Sequence, residues 1–385
     1  MTYRRRCILS TILVTLLIIP ACAGDASEGE AFQVEERDGV TVITNSHIST
    51  WESHDEAPVR FVKEQVYGVE EAPQEPQLTT VTSAVVDDDG ILYAVDRQNS
   101  RVVAFDGDGS VRWSAGERGE GPGEFNQMGR IALGSEHTLW IEDGRFLQEW
   151  TTDGSFVQRE AKGNLVSEGD TRQFVGASAD TLAFITSAVE TDTWTLRFVL
   201  GETHEEIAAY EIPMEQAEVH MPISMLNPLL ESTYTNGMVK IAARKGYQID
   251  LFSAQAGKQT RLKLPQEDML VGIGFSPRGM LMMSGLSVLF PAGDAYVTQS
   301  FGPVDVRDPD QFLRQQNWEP DEPIEYERMS VIDVFSSDFR AIGRLVFDGA
   351  RSPHGFFLTA DADGRLYTWT QDPFPQVRRY ALHFK

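Results

Sequence analysis

Three clusters of aspartate ending in glycine have the residue types that a calcium loop would use: Asp87-Asp88-Asp89-Gly90, Asp106-Gly107-Asp108-Gly109 and Asp361-Ala362-Asp363-Gly364. An EF-type loop needs oxygen ligands at positions 1, 3 and 5 before its glycine and a glutamate at position 12. None of the three supplies that set. Each falls where two short apolar runs need a tight reversal, and Asp and Gly tolerate positive φ there, so the clusters read as hairpin turns. Gly116 to Gly123 has the glycine density of a phosphate loop. No Lys-Ser or Lys-Thr follows it, and Glu117, Glu120 and Glu124 would repel phosphate. It reads as a connection with a Pro122-Gly123 turn. Asp96, Asn99 and Arg101 read as a brace around a turn.

The seven histidines are His47, His54, His137, His204, His220, His354 and His383. No H-E-x-x-H or other metal-ligand spacing occurs among them, and no G-x-S-x-G elbow is present. No metal or cofactor is assigned. The formal charge of -25 excludes nucleic acid as a partner, because such a surface repels phosphate backbones. Two cysteines cannot make a disulfide framework or a cysteine-ligated zinc site.

Both cysteines lie in an address. Arg4, Arg5 and Arg6 precede an apolar run from Cys7 to Ile19, too short to span a bilayer and of the length of a signal-peptide core. Ile19-Pro20-Ala21-Cys22 then resembles a lipobox, with Pro20 atypical. The expectation is a lipoprotein signal peptide over 1–21, lipidation at Cys22 and a flexible tether over 22–38. Ordinary signal peptidase, cutting after Ala23, is the alternative and would give a secreted chain. Removing residues 1–21 strips three arginines and takes the formal charge from -25 to -28.

From residue 39 to 385 short alternating runs recur, punctuated by tight turns. The clearest unit spans 81 to 115: four strands, V-T-S-A-V-V, I-L-Y-A-V-D, R-V-V-A-F-D and S-V-R-W-S-A, in a meander. Its first turn recurs near Gly90, His137, Asp180, Gly237, Gly279 and Gly364, at spacings of 47, 43, 57, 42 and 85. Blades of about 40 to 50 residues make a β-propeller. The sequence therefore predicts an all-β, six-bladed propeller over 39–385, with an insertion at about 288–328 in blade five. The sixth unit has only three strands. V-T-V-I-T at 40 to 44 is expected to supply the fourth, beside 376–382, closing the ring.

D-x-x-N-x-R-V-x-x-F-D at 96 to 106 and G-E-R-G-E-G-P-G-E-F at 116 to 125 resemble NHL-type repeats. With V-T-V-I-T-N-S near the start and D-A-D-G-R-L-Y-T-W near the end, the chain resembles a family of secreted bacterial six-bladed propeller lipoproteins. The resemblance is strong in blades one, two and six and weak in three to five. It implies a fold and an envelope location, on the outer membrane or the periplasmic side, and no activity.

Some propellers are enzymes that gather ligands from inner strands around a channel metal. Here only Glu231 and His354 stand at inner-strand starts as good ligands, with Asp268 nearby, where three or more would be needed. A metal-dependent hydrolase or lyase is the alternative reading. The favoured one is an envelope-anchored, monomeric binding or scaffold protein. Its ligand face is the one formed by inter-blade connections and second-to-third strand loops. Arg118 and Arg172 are expected in inter-blade loops, Arg244 in a second-to-third strand loop and His354 leading into blade six. Glu231 and a flap at 302–327 carrying Trp318 are expected beside them. Excess cations at the channel mouth would favour an anionic or carboxylate-bearing partner, and the expected partner is an envelope protein or an anionic small ligand. The membrane enters only through the lipid anchor.

Overall fold

The computed structural model describes residues 32–51, 57–68, 77–135, 137–166, 171–188, 193–212, 232–235, 237–242, 248–254, 259–263, 273–276, 279–282, 285–286, 289–304, 327–348 and 352–385. They form six antiparallel blades around a ring. Blade one is Val81–Val86, Leu92–Asp96, Arg101–Phe105 and Val111–Ala115; blade two is Met128–Leu133, Thr138–Asp143, Phe146–Thr151 and Phe156–Ala161. Blade three is Thr171–Ser178, Thr181–Ala188, Thr193–Leu200 and Glu206–Ile212; blade four is Ser232–Thr235, Met238–Ala242, Gln248–Ser253 and Gln259–Lys263. Blade five is Phe290–Ala292, Ala295–Val304, Glu327–Ser336 and Ala341–Asp348. Blade six takes Phe356–Ala360, Leu366–Thr370 and Gln376–Phe384 from the C-terminal end of the chain.

The core lies between blades. A middle strand is covered on both faces, so it is largely apolar. Leu92, Tyr93, Ala94 and Val95 are all fully buried. Leu92 and Ala94 belong to the core shared with blade six, Tyr93 and Val95 to the core shared with blade two. Fully burying each large side chain contributes about 1.5–3 kcal/mol.

Sheet twist carries each outer strand over the turn between the third and fourth strands of the next blade. One polar contact marks this at five of the six seams. Trp113 Nε1 donates to Thr152 O at 2.9 Å, Tyr210 Oη to Ser253 O at 2.7 Å and Gln65 Nε2 to Asp108 O at 2.7 Å. Glu160 meets His204 at 3.5 Å. At the fourth seam Asn45 donates to Phe339 O at 3.0 Å and accepts from Ala341 N at 2.8 Å.

The N-terminal strands run around the rim: β1 (Phe32–Arg37), β2 (Val40–Asn45), β3 (Thr50–Trp51) and β4 (Val59–Tyr67). Strand β1 lies inside the stretch whose composition reads as tether. Strand β2 does not close blade six. It pairs in parallel with the fourth strand of blade four, with Val40 opposite Gln259 and Thr44 opposite Lys263. Strand β3 pairs in parallel with the fourth strand of blade five. The closing strand is β4, antiparallel to Gln376–Phe384 from Tyr67–Val377 to Val59–Phe384. An N-terminal strand closes the ring as expected, but it is 59–67 and not 40–44. The physical reason is place in the chain: β4 runs directly into blade one, next to blade six in the ring, whereas Val40–Asn45 is taken by the edge of blade four.

Blade five also departs from the reading. Its first turn falls at Gly293-Asp294, not at Gly279. Residues 290–304 are its first two strands rather than part of an insertion. Among the described residues, Ile273–Ser276 and Gly279–Met282 pair only with each other. The place in the ring goes to 290–304, whose Phe290, Ala292, Ala295 and Val297 are all buried, with Gly285–Leu286 paired to Phe301 and Ser300.

Candidate binding face

Connections between blades and second-to-third strand loops emerge on one face, the loop face; the short turns emerge on the other. Asp96 ends the second strand of blade one on the loop face and is fully buried. Its Oδ1 accepts Thr79 N at 3.1 Å, Thr79 Oγ1 at 2.6 Å and Thr80 N at 3.1 Å. Its Oδ2 accepts Asn99 Nδ2 at 2.8 Å and Arg101 Nε and Nη2 at 3.2 and 3.0 Å. Burial alone would raise the Asp96 pKa, but the bonds from Thr79, Asn99 and Thr80 outweigh it and hold the carboxyl below its usual value. All this acceptor capacity is used within the loop, so Asp96 is a brace and not a base.

Asp143 holds the matching place in blade two, 47 residues on, which is the spacing of the first two turns. Its Oδ1 accepts Asn126 N at 2.9 Å and Gln127 N at 2.7 Å. Its Oδ2 is buried without a hydrogen bond, facing Arg159 Nη2 at 3.8 Å. Arg159 lies 3.7 Å over the Phe146 ring, with Arg145 5.3 Å from the same ring.

Second strands also reach across the seams. Glu142 Oε1 binds Lys162 Nζ at 2.6 Å and accepts Phe174 N of blade three at 3.2 Å. Gln299 bonds Gly355 O and Phe357 N of blade six at 2.8 and 3.2 Å. Lys240 is 3% exposed and donates to Leu289 O at 2.9 Å, beside the Tyr296 ring. Burial lowers its pKa from 10.5 to about 8.

The aspartate-glycine turns lie on the opposite face. Asp87 Oδ1 accepts Asp89 N and Ile91 N at 3.1 and 2.8 Å, and its Oδ2 accepts Tyr93 Oη at 2.8 Å. Asp361 repeats this with Asp363 N, Arg365 N and Tyr367 Oη. Burial, reinforced by Asp87, pushes the Tyr93 pKa up. In the connection from 116 to 127, Gly121 N donates to Glu124 Oε2 at 2.8 Å and Gly119 N to Phe125 O at 3.1 Å. A phosphate cradle would need such N–H groups free.

Arg118 is exposed in the connection to blade two, on a two-residue strand parallel to Glu124–Phe125. Arg172 is not in a connection. It is the second residue of blade three's inner strand, and its Nε donates to Val166 O at 2.6 Å. His354 does lead into blade six, but its ring is packed between blades. It stacks on Phe61 of β4 at 4.7 Å and meets Tyr380 and Phe347 edge-on at 5.2 and 5.8 Å. Phe61 and Phe347 belong to outer strands, so the ring is turned toward the rim rather than the channel mouth. Arg244, Glu231, Trp318, Cys22 and most of the 302–327 flap lie outside the described residues. Among the described residues no three His, Cys, Asp or Glu side chains converge as a metal set.

Sequence reasoning missed Asp143, Glu142 and Lys240. The 47-residue spacing would have found Asp143. Nothing in the sequence marks Lys240.

No family model and no curated protein matches the chain. Solved structures do. A putative exported protein from Bacteroides fragilis is 8% identical, covering 90% of this chain and 100% of that one at a TM-score of 0.53. A member of the DUF4221 family from Bacteroides vulgatus is 9% identical, covering 85% and 99% at 0.52. What they share with this chain is the propeller fold. A streptogramin B lyase, at 9% identity and a TM-score of 0.43, is too distant in shape to bear on activity.

Proposed function

We propose that this propeller is an envelope-anchored binding or scaffold protein, held by a lipid on Cys22 and engaging its partner with the loop face. The observation that carries the reading is the division of labour between the two faces. The turns from Asp87 and Asp361 are short and closed on themselves by their own carboxylates. The loop face carries the longer connections, held from beneath by Asp96 and Asp143. A rigid frame presenting variable loops is the usual arrangement of a binding surface. Arg118 stands exposed on that face, and Arg244, Glu231 and Trp318, outside the described residues, are proposed to join it. A carboxylate or other anionic group is the chemistry the arginines would take. The lipobox-like stretch before Cys22, and the resemblance of the motifs around Asp96 to those of secreted propeller lipoproteins, support the envelope reading.

Two experiments test this. Cys22→Ser is expected to move the protein from the membrane to the soluble fraction, and mass analysis of the wild type should find a lipid-modified N-terminal Cys22. Retention of the variant in the membrane would refute the anchor. Pull-down from solubilised envelope should recover a partner with the whole protein and lose it when 305–326 is replaced by a short turn. An unchanged set of captured proteins would refute a loop-face site that includes the flap.

A further inference from the structure

The described chain begins at one defined point of the rim. Phe32, the first residue of β1, lies opposite Asn45 of β2. Asn45 is held by Phe339 O and Ala341 N, and the Phe32 ring lies 4.2 Å beneath the Arg340 guanidinium. Phe339 in turn packs on Tyr296 at 5.0 Å. Residues 337–340 form the turn between the third and fourth strands of blade five, on the turn face, and Ala341 opens the fourth strand. The open end of the β1–β2 hairpin is therefore clamped to the side of the molecule opposite the loop face.

Nine residues separate Cys22 from Phe32. Ten steps of fully extended chain reach at most about 33–36 Å. Blade five is itself about 30 Å tall, taking its ten-residue third strand, Glu327–Ser336, at about 3.3 Å per residue. Laying the loop face on the bilayer would need the chain to run back along the whole blade at nearly its contour limit. Every shorter path puts the turn side of blades four and five nearest the anchor. On the Cys22 anchor proposed above, we infer that the propeller stands with its turn side toward the membrane and presents its loop face to a partner in the aqueous phase. The partner is then a soluble molecule or the soluble domain of another protein, not a lipid headgroup or a membrane-embedded segment.

The turn side carries Asp87, Asp88, Asp106, Asp153, Asp338 and Asp363 against Arg112, Arg340 and Arg365, with Arg112 paired to Asp106 at 2.7 Å and Arg365 to Asp363 at 2.8 Å, which leaves it net acidic. Such a surface stands off an anionic bilayer rather than docking on it, and the stand-off grows as salt falls.

The test uses full-length lipidated protein in vesicles of phosphatidylethanolamine and phosphatidylglycerol with an acceptor-labelled lipid. Donor dye is placed at Ser337→Cys, beside the anchor point, or at Gln98→Cys, on the loop face; both positions are exposed. Vesicle flotation first establishes that each labelled protein is anchored. Energy transfer is expected to be at least about twofold higher from 337 than from 98, the two sites being a blade height apart. Lower salt should reduce transfer from 337. Equal transfer, or more from 98, on protein that floats overturns the orientation and leaves the anchor standing. Protein that does not float overturns the anchor and the orientation with it.

Discussion

Replacing Asp96 with alanine should destabilise the protein more than any other single change on the loop face. The substitution strips the acceptor from Thr79 N, Thr80 N, the Thr79 hydroxyl, the Asn99 amide and the Arg101 guanidinium at once. Removing one partner of a buried ion pair costs about 3–5 kcal/mol. The Arg101 side chain is 20% exposed and keeps its bond to Gln77 O, which holds the loss within that range. With an unfolding entropy of about 2.1 cal/mol/K per residue over the 354 residues from 32 to 385, the expected fall in Tm is about 4 to 7 °C. The assay is thermal and urea unfolding of the Cys22→Ser form. Asp143→Ala is the comparison. It frees two backbone N–H groups and an arginine already 3.8 Å away, so its loss should be about half as large. The folded-state pKa of Asp96 is lowered. Its contribution is therefore present above the unfolded value of about 4 and lost as pH falls through the folded one, and Asp96→Asn should flatten the acid limb. A Tm within 1 °C of wild type (about 0.7 kcal/mol) for Asp96→Ala, or a larger loss for Asp143→Ala, would refute the reasoning.

Gly90 and Gly364 occupy the same turn in blades one and six, at φ +78° and +74°. A Cβ on Gly90 meets nothing within 4 Å, whereas one on Gly364 overlaps the backbone nitrogen of Gly293. Gly90→Ala should cost about 1 kcal/mol from backbone conformation alone. Gly364→Ala should cost clearly more, and equal losses in urea unfolding would contradict the packing. Lys240→Met should stabilise the protein at neutral pH by on the order of 2 kcal/mol, because burial lowers the lysine from 10.5 to about 8. The wild type should regain that difference between about pH 8 and 10, where only its unfolded state still holds the proton. A variant that is less stable at pH 7 and shows no such convergence would refute it.

The ring and most of its blades are legible because a covered middle strand must be apolar and a reversal needs residues such as Asp and Gly. I-L-Y-A-V-D and R-L-Y-T-W show this directly. The brace at Asp96 is legible too, since its partners Asn99 and Arg101 stand three and five residues away. Long-range competition is not. Val40–Asn45 and Val59–Tyr67 both alternate, and only their fit to Gln376–Phe384 and Gln259–Lys263 decides which closes the ring. Blade five fails the same way, because adjacent hairpins look alike until their side chains compete for the core. His354 looked like a ligand because position alone does not show Phe61 arriving from nearly 300 residues away to stack on it.

Strand β4 sets the order in which the molecule can be completed. Val59 pairs with Phe384, so β4, made before any of the other strands of blades one to six, waits for the third strand of blade six. Bringing ends some 325 residues apart together costs about 5 kcal/mol of chain entropy, met only when blades one to five already hold most of that loop compact. Until then Val59, Phe61 and Tyr67 have no sheet to join, and the seam between blades six and one stands open. A chain truncated before Val377 would leave β4 without its partner strand. Completion of the ring therefore turns on Gln376–Phe384, and truncation before Gln376 should be as damaging as truncation near the middle.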